Sequence, residues 1–157
     1  MMLREEDIKQ ELEARFSFLL GKVSVKRQRR IYVDTPFEYF SQVFDYAIRH
    51  LGFADLITIT GLDEGEDLGV IYHLAGAGGL VLNMKTHIPK DNPRIKTVTA
   101  QFPSADIYER ELMDLLGFEV EGLAAGLRYP LADNWPLGEF PLRKDWKGHS
   151  PGRNKEA

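Results

Sequence analysis

The stretch Pro103-Ser-Ala-Asp-Ile-Tyr-Glu-Arg-Glu-Leu-Met-Asp-Leu-Leu-Gly117 reads as one capped helix that closes a small folded body. Ser104 or Asp106 can serve as its N-cap, and Glu109, three residues after Asp106, completes a pattern like a capping box. Gly117 stands where a left-handed C-cap is wanted. Tyr108, Leu112, Leu115 and Leu116 fall on one apolar stripe. The other face crowds Glu109, Arg110, Glu111 and Asp114 into less than two turns. Arg110 and Asp114 form an i, i+4 pair, with Glu111 beside Asp114 at i, i+3. Two readings of this cluster stay open on spacing alone. It is either a solvated face with ion pairs contributing about 0.2–0.5 kcal/mol each, or a set of carboxylates that meets a cationic partner or does acid–base chemistry.

Working outward, the 157 residues supply one domain with a core of useful size. A net charge of −4 argues against a general nucleic-acid binder. With no cysteine there is no disulfide framework, thiolate nucleophile or cysteine ligand for zinc or iron–sulfur. No apolar run approaches the roughly 20 residues that span a bilayer. The start Met-Met-Leu-Arg-Glu-Glu-Asp lacks signal-peptide character. The expectation is a cytoplasmic protein that meets a membrane only indirectly.

Upstream of the helix, residues 3–20 carry Ile8, Leu12, Phe16 and Leu19 on one helical face, stopped by Gly21. Lys22 to Asp34 is strand-like around the basic run Lys26, Arg27, Arg29 and Arg30, best read as a charged edge strand or hairpin turn that resists edge-to-edge pairing. Thr35-Pro36 predicts a helix start, N-cap then proline. That helix runs to His50 or Leu51 with an aromatic stripe of core type. Strands follow at Leu56–Thr60, Gly69–Ala75 and Leu80–His87, the last with clear period-two alternation. Gly76 to Gly79 joins two strands and so reads as a hairpin turn, because a phosphate loop must run into a helix. The acidic loop of Asp63, Glu64, Glu66 and Asp67 lacks calcium-loop spacing. The four histidines share no ligand spacing, and a half-buried histidine is the default for His73. Ile95–Phe102 is a last extended segment before the helix. The fold class is therefore α+β over residues 1–117, a mostly antiparallel sheet of about four strands with packed helices.

Phe118 to Ala157 is different. Gly122, Gly126, Pro130, Pro136, Gly138, Pro141, Gly148, Pro151 and Gly152 keep regular helix or strand from persisting. Yet Phe118, Tyr129, Trp135, Phe140 and Trp146 are too many anchors for a disordered chain. Aromatic anchors on a proline-stiffened chain describe a long extended tail, residues 118–146, that docks on a partner. Residues 147–157 are expected to be frayed.

Ala105-Asp106-Ile107-Tyr108-Glu109-Arg110-Glu111 with Asp114 and Gly117, then Asp133-Asn134-Trp135-Pro136 and Pro141-Leu142-Arg143-Lys144-Asp145, resemble the 30 kDa subunit family of respiratory complex I, the NADH-quinone oxidoreductase. That family extends to energy-converting nickel–iron hydrogenases and formate hydrogenlyases. The resemblance implies a subunit without cofactor, metal or catalytic residues, packed against a large subunit that bears the quinone or nickel site and near iron–sulfur subunits. It implies that Glu109, Arg110, Glu111, Asp114, Arg128, Trp135, Arg143, Lys144 and Asp145 are interface residues. The run Gly122 to Tyr129 departs from the family's Gly-His-Pro-Asp-Leu-Arg-Arg, keeping only Arg128. Phe140 replaces a frequent histidine. These departures lean toward the hydrogenase-like branch. The rival readings are a stand-alone hydrolase using Glu111 and Asp114, which lacks a nucleophile or metal, and a nucleic-acid or lipid adaptor using Lys26–Arg30.

Overall fold

The computed structural model describes residues 4–148; the end expected to fray lies, from residue 149 on, outside the described residues. The main sheet has five strands in the order β1-β2-β5-β4-β3: β1 (Val23–Arg27), β2 (Arg30–Asp34), β3 (Asp55–Asp63), β4 (Asp67–Gly76) and β5 (Leu80–Pro89). All neighbours are antiparallel except β2 and β5. The predicted α+β architecture is present, with one strand more than the alternation indicated, because the basic stretch forms a complete edge hairpin. A two-stranded parallel ribbon, β6 (Arg94–Lys96) with β7 (Glu119–Glu121), lies outside this sheet.

One rung of direct partners runs through all five strands: Val23, Val33, Met84, Tyr72 and Ile59. Each is buried. Side chains on a strand alternate between faces, so this rung and its neighbours Ile31, Leu82, Leu74 and Val70 define one covered face. The helices α1 (Glu5–Arg15), α2 (Phe40–Arg49) and α3 (Ala105–Leu116) supply the cover. Ile8 and Leu12 of α1 are fully buried, and Phe40 and Phe44 of α2 pack on Tyr72 with ring centroids 4.8 and 5.4 Å away. Each such side chain contributes about 1.5–3 kcal/mol when fully buried. α3 seats against Gly61 of β3, where an added Cβ would lie 2.4 Å from Leu116 and 2.5 Å from Leu112. The opposite face is polar and half-exposed. There the His73 ring, half-buried as predicted, bonds to Thr60 (2.9 Å) and Asn83 (2.6 Å).

Local details differ where tertiary partners override local signals. α1 ends at Arg15, and a 3₁₀ turn over Ser17–Leu19 carries the rest of the predicted first helix. Thr35 does not cap: its hydroxyl is buried without a partner, and the chain passes through a 3₁₀ turn, Phe37–Tyr39, before α2 begins. The extended stretch after Ile95 stops at Lys96 and turns back on itself, Phe102 N–H bonding to Val98 O at 2.8 Å. Gly117 takes the left-handed C-cap conformation (φ 77°) as read. Among the described residues no helix is long and apolar enough to cross a membrane.

Candidate docking surface on the third helix and the C-terminal segment

The predicted capping box of α3 does not form. Ser104 precedes the helix without a side-chain cap bond, and the first turn continues from backbone bonds such as Ala105 N–H to Phe102 O (2.9 Å). Glu109 instead points inward with no exposed surface, accepting from Val98 N–H (2.8 Å) and Thr97 Oγ1 (2.6 Å). Burial pushes its carboxyl up, and those two hydrogen bonds only partly offset this. Such a residue organises the turn before the helix.

Asp106, Arg110 and Asp114 follow one another at four-residue spacing, so they line a single face of α3. Arg110 takes the earlier aspartate, Asp106, and not Asp114, with which the sequence reading paired it. It makes a two-pronged pair with Asp106 (2.9 and 2.8 Å) and gives a third bond to Ala124 O (2.8 Å). Its hydrogen bond holds Asp106 below the usual carboxylate range. Asp114 is thereby left for the C-terminal segment. It accepts from Arg128 Nε (2.9 Å) and Leu131 N–H (3.1 Å), while Arg128 Nη1 continues to Trp135 O (2.8 Å). With both oxygens engaged and 8% of its surface exposed, Asp114 is not a free carboxylate, and Glu111 beside it is half-buried with no bonded partner among the described residues. The Glu111/Asp114 hydrolase pair therefore does not assemble.

The segment returns along the end of α3. Phe140 lies flush on Gly117, where an added Cβ would be 2.6–2.8 Å from the ring. Arg143 stacks over Phe140 at 4.8 Å and donates to Leu116 O at 2.6 Å, one of the carbonyls that a helix end leaves open. Trp135 and Trp146 face each other at 5.8 Å. Lys144 N–H then bonds to Asp63 (2.7 Å), which also pairs with Lys90 (2.7 Å), and Lys90 reaches Asp145 (3.2 Å). Burial alone would raise the Asp63 carboxyl, but bonds from Lys90, Lys144 N–H and Gly65 N–H outweigh it and bring it down to about 2. Asp63 and Lys90 were not legible as part of this site. Asp63 stood only as one acid in a loop, and its partners lie 27 and 81 residues away.

Of the nine predicted interface residues, then, Glu109, Arg110, Asp114, Arg128 and Arg143 bind within the chain. Trp135 is half-buried against Trp146, its Nε1 donating to Glu139 O at 2.8 Å. Glu111, Lys144 and Asp145 keep side-chain surface facing outward. What the braced segment displays is apolar: Leu127 and Leu137 are 87% and 92% exposed, with Tyr129, Leu142 and Met113 also exposed nearby. Leu127, Tyr129, Leu137 and Met113 rim an open hollow of about 490 Å³ against α3. No spacing rule marks these leucines, because exposure depends on where the segment lies. The basic run, for its part, sits on the edge hairpin β1–β2 as read.

The sequence profile of the family described as respiratory-chain NADH dehydrogenase, 30 Kd subunit, matches residues 33–151. The chain belongs to this family. The match takes in both α3 and the C-terminal segment as far as residue 151. A subunit of the F(420)H(2) dehydrogenase of Methanosarcina mazei is 29% identical over 142 residues, 88% of this chain and 89% of that protein. Membrane-bound hydrogenase subunit beta of Pyrococcus furiosus is 29% identical over 155 residues, 94% and 88% of the two chains. Among solved structures, a chain of the membrane-bound sulfane sulfur reductase, described as an archaeal respiratory membrane complex, superposes with a TM-score of 0.74 at 29% identity, covering 90% of this chain and 84% of that one.

Proposed function

We propose that this chain is a non-catalytic, architectural subunit of the soluble arm of a membrane-bound oxidoreductase of the complex I and energy-converting hydrogenase kind. It carries no cofactor or metal of its own. It docks on the large subunit that bears the quinone or nickel site, beside iron–sulfur subunits, on the cytoplasmic face of the membrane. One observation carries the reading: an irregular segment, braced to its own helix by the Arg128–Asp114 ion pair and by hydrogen bonds, holds Leu127 and Leu137 almost wholly in solvent. An exposed apolar cluster rimmed by charge is the form of a protein interface. Family membership supports the reading, since the relatives are named as subunits of dehydrogenase and hydrogenase complexes. In this scheme Arg110, Asp114, Arg128 and Arg143 preorganise the surface, while Glu111, Lys144 and Asp145 form its charged rim.

The test replaces Leu127 and Leu137 together with aspartate. The double variant should keep the wild-type thermal midpoint, since both side chains lie outside the core, and lose co-purification with the large subunit from gently solubilised membranes. Retention of the complex by a folded double variant would remove the docking assignment.

A further inference from the structure

The basic run lies at the far edge of the main sheet from α3, where β1 and β2 meet in a short turn, Gln28 and Arg29. Lys26, Arg27 and Arg29 are exposed there. Neither they nor Arg30 enter an ion pair among the described residues. Arg30 serves the scaffold: its Nη1 donates to Arg29 O (2.9 Å) and Gly79 O (3.3 Å), tying the hairpin to the turn before β5.

Two features of this tip work against its own stability. Arg29 has φ 63° and is, among the described residues, the one non-glycine in the left-handed region, a conformation that turns ordinarily give to glycine or asparagine. Arg27 stands directly opposite Arg30 across the hairpin, and like charges so placed repel. Protection of a sheet edge accounts for charge at Lys26 and Arg27. It does not account for an arginine at the strained position, because asparagine there would leave the edge equally guarded. A backbone strained to hold a guanidinium in solvent points to a contact made outside the chain.

That contact is anionic, and the surroundings narrow its class. Arg29 N–H donates to the Glu5 carboxylate, and Glu6 and Asp7 follow, exposed, in the first turn of α1. Acidic groups so close to the tip, on a chain of net charge −4, oppose a long nucleic-acid strand or a continuous anionic membrane. They leave room for a compact group of carboxylates, which guanidinium forks receive two-pronged. We propose that the β1–β2 tip is a second docking point, across the sheet from the C-terminal segment, where Arg27 and Arg29 receive an acidic cluster on a neighbouring protein subunit. This rests on the reading of the chain as a subunit of a larger complex.

The experiment purifies the complex through a tag on the full-length chain, from gently solubilised membranes, and treats it with a carbodiimide, which joins lysine amines to carboxylates in direct contact. Peptide mass spectrometry should show Lys26 joined to an aspartate or glutamate of another subunit. Arg29→Asn should raise the thermal midpoint of the chain by about 2 °C as the strain is relieved, yet cut that cross-link by about half or more. Arg27→Gln, away from the strained position, should cut it as well. The proposal is overturned if Lys26 links only to carboxylates of its own chain while other subunits co-purify, or if both variants leave the link between subunits undiminished. Binding of the free chain to a single-stranded oligonucleotide or to phosphatidylglycerol vesicles, lost in Arg29→Asn, would overturn it in favour of a nucleic acid or a membrane. A wild-type chain that leaves the membranes alone would overturn the subunit reading too, which sets that failure apart from the others.

Discussion

Glu109 is a carboxylic acid with no exposed surface whose two acceptor bonds hold the turn at Thr97 and Val98. Burial raises its folded value above the unfolded one. The sign follows from proton linkage: between those values the native state binds more protons, so the contribution of Glu109 is fullest below the unfolded value, near 4.5, and declines as pH rises through the folded value. Glu109→Gln keeps one acceptor for Val98 N–H and removes the charge. Urea unfolding at pH 4 and pH 7 should therefore show the variant gaining on the wild type as pH rises. A constant difference would mean that Glu109 is not held up. Arg128 is the corresponding residue on the C-terminal segment. Arg128→Ala strips Asp114 and Trp135 O of their partner, a loss of about 1–3 kcal/mol, confined to the segment. The two tryptophans of the chain, Trp135 and Trp146, both lie there, so their emission should redden while the far-UV melt of the sheet changes little.

At the scale of elements, the end of α3 meets the C-terminal segment through Gly117 against Phe140, beside the bonds from Arg143 to Leu116 O and from Leu142 N–H to Leu115 O. A side chain at Gly117 meets two penalties: the left-handed backbone, costing about 1–2 kcal/mol for a residue with a Cβ, and the Phe140 ring at 2.6 Å. Gly117→Ala should loosen the segment and speed tryptic cleavage after Arg128, with α3 intact by circular dichroism. Phe140→Ala on top of it removes the ring that clashes. The two changes should then cost less together than their sum, as expected for residues in contact. Strict additivity would show that the ring is not seated on the glycine.

Across the whole molecule, the segment is fastened along α3 from Arg110 to Gly117 and finally at the end of β3 through Asp63. Because the folded Asp63 carboxyl lies at about 2, below its ordinary 3.8, its contribution is complete above the higher value and disappears as pH falls through the lower. Tryptophan emission should hold steady from pH 7 to about 4 and shift between there and pH 2. Asp63→Asn should show the shifted emission at neutral pH and lose the acid step. An acid step that persists in the variant would place the fastening elsewhere.

Much of the architecture was legible because its signals are local. The period of α3, the glycine that ends it, the alternation of Leu80 to His87 and the glycine-marked turns each depend on residues close along the chain. Choices between equivalent partners were not legible. Arg110 has an aspartate four residues before it and another four after, and nothing in the spacing prefers either. Arg128, brought back by the fold, takes Asp114 and so assigns Asp106 to Arg110. Glu109 read as a cap because capping is what a carboxylate does in a first turn; the Thr97–Val98 turn offered a hydroxyl and an amide in a dry place, and won. The order of the strands, the face that α3 covers, the exposure of Leu127 and Leu137 and the pairing of Asp63 with residues 27 and 81 positions away were all decided by tertiary structure. The physical reason is common to them. Local energies of a few tenths of a kcal/mol set what a segment prefers, and burial and long-range hydrogen bonds, each about a kcal/mol or more, settle what it does.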